Sequence, residues 1–123
     1  HFRTGMPRIF RNNTSDHKFL RFVKEDDPLQ ERWVPMRWIG ALRHWVLHML
    51  AQPSCDFPVL LVQGQRDETI EWQGNNEFVR TRFNVVHEAI LPDASHQLAN
   101  EREDLRQPVH DAIARLLKTK NHY

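Results

Sequence analysis

The chain has a single cysteine, Cys55, so it can form no internal disulfide, and its redox compartment is left open. It lacks a charge excess: 17 Lys and Arg stand against 16 Asp and Glu, a net charge of +1. A dedicated nucleic-acid binder carries a strong basic surplus, so that class is disfavoured and no nucleic-acid partner is expected. No apolar run approaches the roughly 18–20 residues of a membrane span. No signal-peptide pattern opens the sequence, and a cytoplasmic location is the expectation. At 123 residues the chain is one domain or part of one. One local imbalance stands out. Residues 1–24 hold Arg3, Arg8, Arg11, Lys18, Arg21 and Lys24 against Asp16 alone. A solvated basic surface is the simplest reading, and an anion-facing surface is the sharper one.

Texture changes near residue 54. Residues 1–30 are polar and broken by Gly5, Pro7, Asn12, Asn13 and Pro28, with room for a short helix over 16–23 capped by Ser15 or Asp16. Residues 35–51 predict a strong helix. Trp38, Leu42, Trp45 and Met49 repeat at helical spacing, Pro35 suits the first turn, and Arg37, His44 and His48 share the other face. Residues 58–63 are a leucine and β-branched run closed by Gly64, which predicts a strand buried on both faces, with Cys55 ahead of it as a small apolar filler. A helix over 72–83, a strand over 85–91 and a helix over 105–118 follow. Val109, Ala112, Ile113, Leu116 and Leu117 would face inward in the last helix, with Pro108 near its first turn.

Strand, helix, strand, helix predicts an α/β fold with a parallel sheet. Parallel strands end at one edge. The polar residues of the loops that leave them, Asp67 and His96, should therefore lie side by side. An acid that precedes a histidine in the chain is the back half of a Ser…Asp…His order. The serines, Ser15, Ser54 and Ser95, do not sit in a Gly-x-Ser-x-Gly turn, so the nucleophile is expected upstream of residue 1. Asp93 and Glu68 are rival acids, ranked lower: Asp93 would have to fold back onto its own loop, and Glu68 should point elsewhere. His44 and His48 have metal-binding spacing but no third ligand, and neither a metal nor a cofactor is expected.

Pro58-Val-Leu-Leu-Val-Gln-Gly-Gln-Arg-Asp67-Glu-Thr-Ile resembles the acid strand and loop of α/β-hydrolases. Asp93-Ala-Ser-His96-Gln-Leu-Ala-Asn-Glu101 resembles their histidine loop. Asp27-Pro28-Leu29 is similar to a cap-region string of the lysophospholipase and monoacylglycerol-lipase-like branch. The likeness implies a partial α/β-hydrolase fold, with 1–54 as an irregular stretch plus helical cap and 55–123 as the C-terminal βαβα part of the core. It implies a serine hydrolase of carboxylic esters in which Asp67 and His96 are catalytic. Trp38 and Trp45 would then wall an apolar or acyl substrate, although packing of the cap helix onto the body is the favoured reading for most of that stripe. The alternative function is a nucleophile-free interaction module on the same half-fold. The strand at 58–63 would lack its neighbour, so a homodimer or strand exchange between copies is expected, unless residues 1–34 fold back over that edge.

Overall fold

The computed structural model describes residues 4–120; Arg3 of the basic segment lies outside the described residues. Two small sheets organise the described residues. Strand β1 (Gly5–Pro7) pairs antiparallel with β2 (Trp33–Pro35). Strand β3 (Cys55–Gly64) pairs parallel with β4 (Phe83–Leu91). Helix α1 (His17–Arg21) and a π-turn (Phe22–Asp26) bridge β1 and β2, and α2 (Met36–Ala51) follows β2 directly. Helix α3 (Trp72–Arg82) crosses from β3 to β4, and α4 (Glu103–Lys120) closes the chain after a short 3-10 turn, Leu98–Asn100. The fold is mixed α/β with a parallel sheet. No helix is long and apolar enough to cross a membrane among the described residues.

Local chemistry explains most boundaries. Asp16 caps α1 through Oδ1, which accepts from the Lys18 and Phe19 amides at 2.9 and 3.0 Å. Those bonds hold its carboxyl below the usual range, the Phe19 amide most strongly. Pro35 is the N-cap of α2 rather than a first-turn residue, with an extended ψ of 137°. Glu71 caps α3 by accepting from the Gly74 amide at 2.8 Å. Helix α4 begins two residues earlier than its apolar spacing implies, at Glu103, because Glu103 and Asp104 favour a first turn. Pro108 thus falls inside the helix and gives the Asp104 carbonyl no i+4 donor.

Several burial expectations fail for one reason: two strands and two flanking helices cannot enclose much. Among the described residues the buried apolar ones are Ala94, Val109 and Ala112. Pro58–Val62 of β3 are half-buried rather than covered on both faces. Ile113 and Leu117 of α4 and Cys55 at the head of β3 are exposed. Helix α2 buries none of its residues, and its apolar stripe does not pack onto the body. Residues 5–7, read as part of the breaker-rich 1–30 stretch, pair as a strand with 33–35, where no strand was expected and residue 35 was expected to open a helix. Among the described residues β3 pairs with β4 alone, and no strand of the 4–34 segment joins its open edge.

Candidate active site

Gly64 and Leu91 are the last paired residues of the parallel ladder. Both chains leave the sheet at the same edge, and Asp67 and His96 follow within a few residues. Backbone bonds lace the two loops together. Gln65 N–H donates to Leu91 O at 2.9 Å and Arg66 N–H to Ala94 O at 3.0 Å. Gly64 is required at this crossing: a Cβ would stand 2.5 Å from the Ala94 carbonyl oxygen, below any normal contact. Arg66 and Asp93 form an exposed ion pair across the loops at 2.5 Å.

The Asp67 side chain is 2% exposed and that of His96 is 36%. Asp67 Oδ2 lies 2.8 Å from His96 Nδ1. Its other contacts fill the carboxylate: Oδ1 accepts from the Thr69 and Ile70 amides at 2.8 and 3.3 Å, and Oδ2 also accepts from Gln63 Nε2 at 3.3 Å. Burial pushes the Asp67 carboxyl up. The bonds from His96, from the Thr69 and Ile70 amides and from Gln63 outweigh it, and the net effect is a lowered pKa. An ionised carboxylate can only accept, so Nδ1 carries the proton, and in the neutral ring Nε2 presents a lone pair. Among the described residues no hydrogen bond engages Nε2. The arrangement can therefore take up a proton at Nε2 and stabilise the resulting imidazolium with a fixed, buried carboxylate.

A second carboxylate holds the histidine loop. Glu101 is 1% exposed. Its Oε1 accepts from the Ser95 amide, next to His96, at 2.6 Å. Its Oε2 accepts from the Ser15 amide at 2.7 Å and from the Ser15 hydroxyl, and lies 3.4 Å from Thr14 Oγ1. The Thr14 hydroxyl donates to Asn100 O at 2.7 Å. Asn13 touches both loops: its carbonyl accepts from the Gln97 amide at 2.8 Å and its Oδ1 from Thr69 Oγ1 at 2.8 Å. Sequence reasoning placed Glu101 in the loop pattern without a role and missed Gln63, Asn13 and Thr14. The one available signal was a glutamate beside an apolar turn; its partners Thr14 and Ser15 lie at the far end of the chain.

The other singled-out residues lie elsewhere. Asp93 pairs with Arg66 and Glu68 is exposed, so neither reaches His96. Trp38 and Trp45 are 57% and 58% exposed on α2, and among the described residues no hydrogen bond joins either to Asp67 or His96. Asp27 makes an Asx-turn to the Leu29 amide at 2.9 Å, and Leu29 is solvent-exposed. His48 interacts with Gln52 on α2. Among the described residues no three His, Cys, Asp or Glu side chains cluster to hold a metal. Comparison with protein-family models, curated proteins and solved structures finds no match.

Proposed function

We propose that Asp67 and His96 are the acid and base of a serine hydrolase acting on carboxylic esters, of the lysophospholipase, esterase or lipase kind. The fold here would be the C-terminal part of an α/β-hydrolase. The 2.8 Å contact between a buried, ionised Asp67 and His96 Nδ1 carries this reading, because it fixes the tautomer that general-base catalysis needs. A serine from outside these 123 residues attacks the ester carbonyl and passes its proton to His96 Nε2. Asp67 stabilises the imidazolium. The tetrahedral intermediate collapses as His96 returns that proton to the leaving alkoxide, and a water activated by the same nitrogen releases the acyl group.

Ser15, Ser54 and Ser95 are poor nucleophile candidates. The Ser15 hydroxyl is bonded to Glu101, and no hydroxyl among the described residues is bonded to His96. The open sides of the β3–β4 pair and the bare apolar face of α2 favour a homodimer or strand exchange between copies of this chain. Sedimentation over a range of concentrations tests that; a strictly monomeric species contradicts it.

A fluorophosphonate probe tests the chemistry. In a protein that joins this chain to its serine-bearing part, the probe should label one serine in a Gly-x-Ser-x-Gly turn, and His96→Ala should abolish labelling. The 123-residue chain alone should stay unlabelled. Labelling of Ser15, Ser54 or Ser95 at an active-site rate would overturn the assignment. An intact protein that is never labelled would leave an interaction module.

A further inference from the structure

A cavity of ≈190 Å³ opens beside the dyad, lined by Arg8, Phe10, Arg11, Val23 and Lys24 from the N-terminal segment and by Thr69 and Gln97 from the two catalytic loops among others. Its lining holds three cations and no carboxylate. None of the ion pairs among the described residues uses Arg8, Arg11 or Lys24. The partners these cations do have are neutral. Lys24 Nζ donates to Asn12 Oδ1 at 3.1 Å. The Arg8 guanidinium sits 5.3 Å from the Phe10 ring centre, with Arg32 at 5.0 Å from the same ring. Arg8 and Arg32 thus share the Phe10 ring, and no carboxylate among the described residues pairs with Arg8, Arg11 or Lys24, so an anion in this cavity would meet three cations not already neutralised by an ion pair.

The cavity is tied to the dyad on both sides. Thr69, whose amide donates to Asp67, also bonds Asn13, and Gln97, next to His96, donates to the Asn13 carbonyl. Leu20, Val23 and Phe10 give the remaining wall an apolar character.

We propose that this cavity is a substrate subsite for an amphipathic oxyanion. Arg8, Arg11 and Lys24 take a phosphate- or carboxylate-type group, the apolar wall takes the adjoining carbons, and the reacting bond is presented toward His96. The proposal deepens the ester-hydrolase reading by giving that site a charge preference. Guanidinium groups match such oxyanions bidentately, and Lys24 adds a point charge.

Binding to the 123-residue chain, followed by amide NMR shifts, tests it. Octyl phosphate should shift the Asn13, Thr69 and Gln97 amides saturably. Octyl glucoside and inorganic phosphate should each bind at least about tenfold more weakly, the difference of one factor of ten in Kd. Arg8→Gln/Arg11→Gln/Lys24→Gln should weaken octyl phosphate by a similar factor, while Arg8→Lys/Arg11→Lys retains most of the binding. Raising salt from about 0.05 to 0.5 M should also weaken it, a readout that needs no variant. Salt-independent binding, equal binding of the glucoside, or inorganic phosphate binding as tightly as the octyl ester would each overturn the proposal. Failure of the fluorophosphonate to label the unsubstituted serine-bearing protein would sink the hydrolase reading and leave this binding intact; absent octyl phosphate binding sinks the subsite alone.

Discussion

Helix α2 and the β3–β4 unit were both announced by strong apolar patterns, and the structure treats them oppositely. In α2, Trp38, Leu42 and Trp45 form a regular stripe that remains exposed. In β3–β4 the strands are only half-buried, yet the loops they carry close around Asp67 and Glu101, which are nearly sealed from solvent. Apolar periodicity forms a helix but does not choose its partner. Parallel pairing, by contrast, fixes where two loops emerge. Polar groups with many hydrogen-bond partners then lock those loops more tightly than the small apolar core locks anything else.

The two regions should part most widely at Asp67. Asp67→Asn in the serine-bearing protein should lower kcat by about ten-thousandfold, because the amide favours the wrong imidazole tautomer. Esterase kinetics on the purified variant measure it. No comparable loss should follow Trp38→Ala or Trp45→Ala if α2 only covers an interface; a loss as large would make α2 part of the site.

Next in size are the loop locks. Glu101→Ala should destabilise the chain by roughly 3 kcal/mol, since it strands the part-buried Ser15 and Ser95 amides and the Ser15 hydroxyl. Gly64→Ala should cost a similar ~3 kcal/mol, because only backbone could move to admit the methyl group. Urea unfolding followed by circular dichroism measures both, and unchanged midpoints would show that the loops are not locked as described.

Acid should weaken the same region selectively. The Asp67 pKa is lowered on folding, so the unfolded chain binds its proton first as pH falls. The stabilisation is complete above the unfolded value, about 3.9, and is lost as pH drops through the folded one. The stability gap between the parent chain and Asp67→Asn should accordingly close in thermal melts below about pH 4.

A modest gain, rather than a loss, is expected on the helix side of the contrast. Gly40 lies inside α2, where an added Cβ would meet no atom within 4 Å. Gly40→Ala should stabilise the helix by about 0.8 kcal/mol. A loss instead, in urea unfolding, would mean that α2 packs tightly against something at that position.

The sequence made the β3–α3–β4–α4 order readable because each element carries its own period and its own breakers. It also made the meeting of Asp67 and His96 readable, since parallel strands leave their loops at one edge. The links between Asn13, Thr14 or Ser15 and the distant loops were not readable. Each is a single polar contact across a long stretch of chain, and polar residues in a breaker-rich segment look the same whether solvated or buried. The β1–β2 pair was hidden for a related reason: Gly5, Pro7 and Pro35 are poor strand residues, and three paired rungs leave no alternation to detect.

Everything proposed for the site depends on a buried, ionised Asp67 holding His96 as a base. Long-range ¹⁵N–¹H correlation of the imidazole in the 123-residue chain at neutral pH decides the point. The expected spectrum has a proton on Nδ1, shifted downfield by its bond to Asp67, with Nε2 unprotonated, and the downfield signal disappears in Asp67→Asn. A neutral ring protonated at Nε2, or an Nδ1–H signal indifferent to Asp67→Asn, would contradict it.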